Sequence, residues 1–331
     1  MYFSNCIMDG FKYHINLIEN YIGEFLNDLN DNPVYDPVKY FLKLSSKRVR
    51  PLLTLISNSL YNNSYKNALP AAISNEIFHN FTLIHDDIMD SSLIRRGKDT
   101  VHVKWNLNQA ILSGDAMQIL AYKCLENYDS QIQKNLIKIF NDTAIKVCEG
   151  QQLDIEFEKQ NNLKFDDYIK MINYKTAVLL GSSLMMGGII NDISKSDLKL
   201  LYDIGINMGL AFQIQDDYLD LFGNKDLTGK KIGGDIIKNK KTVMYHLYKE
   251  NSSASESIFL DKTYSSLTLK DDNKVEEIMQ LFKDKEIDLK TRDLVKKYSS
   301  LTTDYISHLN VDKSKKQELL EISNKLFLRV F

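Results

Sequence analysis

Two short segments carry three aspartates each at the same spacing. Leu83-Ile84-His85-Asp86-Asp87-Ile88-Met89-Asp90 holds the first set, and Gln213-Ile214-Gln215-Asp216-Asp217-Tyr218-Leu219-Asp220 holds the second. On a helix, positions three and four apart are neighbours, so Asp86, Asp87 and Asp90 share one side, as do Asp216, Asp217 and Asp220. Such clusters repel themselves unless a cation sits against them. Hard divalent ions with oxygen ligands meet that need, and Mg²⁺ binds through few carboxylates plus substrate phosphates. A single triplet more often marks a solvated helix face, since Asp is mostly exposed. Here the lead-in residues (Ile77, Phe78, Phe81, Leu83, Ile84; Met208, Leu210, Phe212, Ile214) are apolar, which places both sets on core helices. The repetition favours a paired metal site.

Cations follow the same logic. Lys47, Arg48 and Arg50 precede Pro51, which suits the first position of a helix. Cations beside a helix N-terminus make an anion site, although a solvated basic turn explains them equally well. Arg95, Arg96 and Lys98 lie just after the first triplet, and arginine suits bidentate phosphate contacts. Lys175 and Thr176 form an isolated pair before an apolar stretch. Gly223–Asp235, with Lys230 inside it and Lys238, Lys240 and Lys241 after it, is a glycine- and lysine-rich loop that suits a phosphate lid without P-loop spacing. Asp154, Glu156 and Glu158 read as the solvated end of a helix.

These residues need helices to hold them. Only 14 Gly and 4 Pro in 331 residues favour an all-α chain over a strand-and-turn fold. Apolar periodicity predicts helices over 11–29, 38–44, 52–60, 69–90, 108–128, 131–157, 165–190 and 198–222, then 275–282, 294–309 and 319–327. No segment has a strand pattern, and the triplet is the one repeat. A single large domain over 1–331 is expected. The net charge of -2 argues against a nucleic-acid partner. Three cysteines (Cys6, Cys124, Cys148) without metal spacing suggest a reducing cytoplasm and buried thiols. No leader is visible, and the most apolar stretch, 177–190, is too short to span a bilayer.

Taken together, these residues resemble the all-trans isoprenyl diphosphate synthases, the farnesyl and geranylgeranyl diphosphate synthase family. The resemblance runs from about Lys47 to Thr242. Lys47-x-x-Arg50 is similar to that family's isopentenyl diphosphate clamp, and Asp86, Asp87 and Asp90 with Arg95-Arg96-Gly97 to its first aspartate-rich motif. Lys175-Thr176 is similar to its Lys-Thr pair, Phe212-Gln213 with Asp216, Asp217 and Asp220 to its second aspartate-rich motif, and Lys230 and Lys240-Lys241-Thr242 to its later lysines. Ser45-Ser46 stand where the family usually has glycines.

The resemblance implies the isoprenoid synthase fold, a helical bundle around a deep central cavity with the two triplets facing each other across its mouth, and a homodimer. It implies Mg²⁺, about three ions per site, held by the aspartates and neutralising the leaving diphosphate. The allylic diphosphate would lie on those ions with Arg95, Lys175, Lys240 and Lys230. Isopentenyl diphosphate would lie on Lys47, Arg50, His79 and Arg96, and Thr176 and Gln213 would steady a carbocation. Phe81 precedes Asp86 by five residues, about 7.5 Å along a helix. With small Thr82 beside it, Phe81 should stop the growing tail early, at geranylgeranyl ahead of farnesyl length. A class I terpene cyclase and a non-catalytic prenyl-binding subunit are the rivals. The second Asp-rich motif and the Lys47/Arg50 pair argue against the first, and the intact charges against the second.

Overall fold

The computed structural model describes residues 9–160, 163–223, 232–266 and 271–327. Helices α1 (Lys12–Asn27), α2 (Asp36–Leu42), α3 (Val49–Ser59) and α4 (Leu69–Met89) lead into the first triplet. α5 (Leu107–Lys123), α6 (Ser130–Lys159), α7 (Phe165–Ile172), α8 (Val178–Ile189) and α9 (Lys195–Phe222) follow. Later come α10 (Val243–Glu250), α11 (Ala254–Tyr264), α12 (Asp271–Asp284), α13 (Ile287–His308) and α14 (Gln317–Phe327), with single-turn helices at Val101–Lys104 and Gly234–Ile237 between the longer ones. Local chemistry marks several starts. Asn106 caps α5 by accepting from Gln109 N–H, Ser194 caps α9 the same way from Asp197 N–H, and Ser253 with Glu256 forms a capping box on α11.

The apolar stretch too short for a membrane becomes the middle of the bundle. α8 buries almost every residue from Val178 to Ile189, packing on α3 on one side and α9 on the other. Gly187 permits the α3 contact, because a Cβ there would stand 2.8 Å from Ser57 Cβ. α4 packs on α3 and α5, and α9 on α13, so the two triplet-bearing helices run through the same core. Among the described residues no helix is long and apolar enough to cross a membrane.

Two expectations need correction. The first concerns strands: Ile94–Arg95 pairs antiparallel with Lys98–Asp99. Its turn residues, Arg96 (φ 54°) and Gly97 (φ 73°), both have positive φ, as a tight two-residue hairpin of the right twist requires. Two-residue strands carry no period to read. The second concerns Pro51, which is the third residue of α3, not the first; the chain enters that helix through Arg48 in the left-handed region (φ 46°).

His246 on α10 is buried at 1% exposure and tilts against the Tyr168 ring at 5.4 Å. Burial pushes its imidazole down to about 4. An imidazole harder to protonate when folded contributes stability that is complete above its ordinary value near 6.5 and is lost as pH falls toward 4. From pH 8 to pH 5 this group should withdraw about 2 kcal/mol. His246→Gln should flatten that part of a urea-midpoint profile, and an unchanged profile would refute the assignment.

Candidate active site

A cavity of about 560 Å³ opens between the C-terminal halves of α4 and α9, α6 and the start of α8. Asp86 from the first triplet and Asp216 from the second both line it. Its polar end also holds Arg50, His79, Arg95, Arg96 and Lys175. Phe81, Thr82, Leu179 and Phe212 give it apolar walls below the carboxylates. A smaller cavity of about 120 Å³ adjoins it, sharing Lys175, Thr176 and Gln213 and adding Asp154, Asp217, Asp235 and Lys240.

The six aspartates do not act alike. Asp87 is 1% exposed and accepts from Arg95 Nε at 2.7 Å. Asp217 is buried and accepts from the Tyr168 hydroxyl, Val243 N–H at 3.1 Å and Gln213 Nε2 at 3.1 Å. Burial and the nearby Asp235 push its carboxyl up to about 7, against the pull of those hydrogen bonds. The middle residue of each triplet therefore braces the frame. Asp86, Asp90 and Asp216 are half-buried at or beside the mouth. Asp220 accepts from Asp235 N–H at 2.9 Å, and its carbonyl accepts from Gly233 N–H, which ties the short segment before Lys238 and Lys240 to α9. Among the described residues no three His, Cys, Asp or Glu side chains are grouped so as to hold an ion by themselves.

Lys175 Nζ lies 2.6 Å from Asp154 Oδ2 and 3.2 Å from Asp86 Oδ1. Burial would lower its pKa, but Asp154 and Asp86 together raise it, so it stays a cation. Asp154 is thus not part of a solvated end. The helix it sits on turns that face inward against the cavity, while Glu156 is exposed and accepts from Gln152; the Glu158 side chain lies outside what the structure describes. Asn173–Ala177 forms a π turn that carries Lys175 and Thr176, an insertion frequent at functional sites. It presses on Gly150 of α6 so closely that a Cβ there would lie 2.7 Å from the Tyr174 carbonyl carbon. Thr176 Oγ1 donates to Gln213 Oε1 at 3.2 Å, aligning the two polar groups on the cavity wall. Lys240 Nζ is 3.8 Å from Asp90 Oδ2. Lys241 lines the smaller cavity with its amine donating to the carbonyls of Phe157 and Gln160. Lys230 lies outside the described residues.

A second cluster is almost purely cationic. Arg50 NH1 donates to His79 Nε2 at 2.9 Å, so that imidazole is neutral, since a guanidinium only donates. Burial, then Arg50, Arg96 and Arg95, hold the His79 pKa well below its ordinary value. Burial and Arg96 likewise draw Arg50 down to about 10, with Glu76 opposing. Arg96 NH1 donates to Asn80 Oδ1 at 3.3 Å. Burial is the larger cause in both arginines and the buried Glu76 opposes it, with the neighbouring arginines lowering them further. Lys47 is half-buried on the loop before α3. Arg48, expected to join the anion site, instead turns into the core and pairs with Glu19 and Glu76.

The polyprenyl synthetase family model matches residues 31–283. The chain belongs to that family. It is 33% identical over 277 residues to the short chain isoprenyl diphosphate synthase of Methanothermobacter thermautotrophicus, covering 83% of this chain and 84% of that one. It is 37% identical over 240 residues to the geranylgeranyl diphosphate synthase of Sulfolobus acidocaldarius, covering 68% and 73%. A crystal structure of geranylgeranyl pyrophosphate synthase superposes with a TM-score of 0.92 at 40% identity, covering 97% of this chain and 99% of that one. The fold is therefore the all-α isoprenoid synthase fold, and the enzyme is a prenyltransferase of the short-chain prenyl diphosphate synthase type.

Three features of the enzyme's site escaped sequence reasoning. Asp154 could have been suspected from its place near the end of a helix that turns back toward Lys175, but only packing shows the pair. Tyr168, the partner of Asp217, is one tyrosine among 18. Cys148 is exposed rather than buried and stands on the cavity wall, because its face of α6 opens onto that space; Cys124 is half-buried and Cys6 lies outside the described residues.

Proposed function

We propose that the enzyme joins isopentenyl diphosphate to an allylic diphosphate in a Mg²⁺-dependent 1'-4 condensation, with geranylgeranyl diphosphate as the principal product and farnesyl diphosphate as the shorter alternative. One observation carries this. Asp86 and Asp216, far apart in sequence, line one apolar-walled cavity whose mouth also holds a separate cluster of arginines. Two anionic groups of different kinds can thus be met side by side, one through carboxylate-held ions and one through guanidinium groups alone.

Asp86, Asp90 and Asp216 offer hard oxygen ligands, which suit Mg²⁺, an ion that takes few carboxylates and completes its shell with phosphates and water. When bound, Mg²⁺ supplies charge stabilisation for the departing diphosphate. The chain's own residues do the rest. Lys175, Lys240 and Arg95 add positive charge where the leaving group gathers negative charge. Arg50, Arg96 and Lys47, with neutral His79 bonded to Arg50, hold the second diphosphate. Thr176 and Gln213 turn oxygen lone pairs toward the allylic carbocation. Its capture by the double bond of isopentenyl diphosphate forms the carbon–carbon bond, and transfer of one proton to an oxygen of the departed diphosphate forms the new double bond and ends the cycle. Phe81, Leu179 and Phe212 keep water from the cation. A homodimer is part of the proposal, supported by Leu107, Ile111, Leu112 and Ile119, all exposed on α5. The free thiols support a cytoplasmic setting.

The assay supplies Mg²⁺, isopentenyl diphosphate and, in turn, dimethylallyl, geranyl and farnesyl diphosphates, and measures product length. Cyclised hydrocarbon with no consumption of isopentenyl diphosphate would favour a cyclase instead. Phe81→Ala should lengthen the product by at least one isoprene unit, since the ring stands in the cavity one turn and more below Asp86. An unchanged product spectrum would remove Phe81 from that role.

A further inference from the structure

We propose that Gly114 sets product length from outside the cavity, by giving His85 a slot in α5 and so fixing how the Phe81 ring stands. The proposal rests on the chain-elongation reading above. His85 follows Phe81 by one turn of α4, and the two rings meet edge to face with centroids 4.7 Å apart. Phe81 rests in turn on Phe78 at 5.5 Å, and Phe78 on Phe140 at 5.1 Å. The ring that faces the growing tail is therefore clamped, with His85 above it and Phe78 below.

His85 has α5 on one side and the cavity on the other. Its Nε2 lies 3.3 Å from the Ile111 carbonyl oxygen, an acceptor only, so Nε2 carries the proton and donates. Asp115 Oδ1 is 3.9 Å from the same nitrogen. The imidazole reaches this place because buried Gly114 has no side chain: a Cβ there would lie 2.6 Å from His85 Cδ2 and closer still to Nε2. An added methyl group cannot be met by moving α5, which is packed along α4. The ring has to leave its slot, and the open direction is the cavity that it already lines. An imidazole displaced that way occupies the path beside Phe81. Gly114 does not line the cavity. It is a positioning residue acting through His85.

The test compares the wild-type enzyme, Gly114→Ala, His85→Ala and the double variant, each with Mg²⁺, geranyl diphosphate and isopentenyl diphosphate, reading released diphosphate and product length separately. Gly114→Ala should shift the product one isoprene unit shorter, changing the short-to-long ratio by about tenfold or more, the scale on which an apolar pocket discriminates small changes of volume. The double variant, with no imidazole to displace, should return to wild-type length or beyond. His85→Ala alone should lengthen or broaden the product by unclamping Phe81, and it bears on the proposal even where Gly114→Ala fails to fold. Wild-type lengths from folded Gly114→Ala, equal shortening in the double variant, or an unmoved spectrum in His85→Ala would each overturn the slot. No diphosphate release from the wild-type enzyme would instead overturn the elongation reading on which it rests.

Discussion

Asp86→Ala is expected to lower kcat by a factor of about 10³ or more while leaving the helical circular dichroism spectrum unchanged. The carboxylate is at the last turn of α4, where the helix dipole already presents its negative end, so the position is locally unfavourable for an unpaired anion. Its two oxygens face Lys175 at 3.2 Å and Arg95 at 3.5 Å. Neither cation would be stranded by the substitution, since Lys175 keeps Asp154 and Arg95 keeps Asp87. The fold should therefore survive, and the loss should fall on ionisation of the allylic diphosphate. Asp216→Ala, on the opposite wall, should do the same. The measurement is single-turnover diphosphate release at saturating Mg²⁺. A rate within tenfold of wild type in either variant would disprove the metal assignment.

Arg48→Met should act on the fold instead, costing about 3–5 kcal/mol as a shifted urea-unfolding midpoint. The guanidinium is 2% exposed and holds three partners: Glu19 at 2.7 Å, Glu76 at 2.8 Å and the Leu42 carbonyl at 2.5 Å. Glu76 is buried on α4, where burial alone would raise its pKa; Arg48 outweighs that and keeps it below the ordinary carboxylate value. This contribution is present above the ordinary carboxylate pKa and fades as pH falls below it. Removing Arg48 leaves a buried carboxylate and an unpaired carbonyl between α1, α3 and α4. The same change should weaken isopentenyl diphosphate binding, because Glu76 would then be free to neutralise Arg50 and Arg96, which it already attracts. A midpoint within 0.5 kcal/mol of wild type, on the scale of an ordinary surface substitution, would show that the pair contributes little.

The arginines show where reading the chain stops. Lys47, Arg48 and Arg50 look alike in sequence, three cations within four residues. The left-handed backbone at Arg48 turns its side chain away from the others, so Arg48 becomes core while Arg50 faces the cavity. The aspartates divide in the same way. Neighbouring carboxylates on one helix point about 100° apart, close enough to share a side in sequence, and nothing in their identity says that Asp86 reaches the cavity while Asp87 is buried. Asp87 and Asp217 turn inward because Arg95, Tyr168 and the Val243 amide are waiting there, each delivered by a different segment.

The all-α class, most helix positions, both triplets and the basic segments around them were set by the chain itself, because apolar periodicity and charge spacing act within a few turns of helix. Which carboxylates reach the cavity, that Asp154 rather than solvent receives Lys175, how a two-residue hairpin aims Arg95 and Arg96, and that a glycine on α5 makes room for His85 were decided only by packing. Those contacts join residues up to dozens of positions apart, and their geometry depends on how helices seat against one another rather than on any local period.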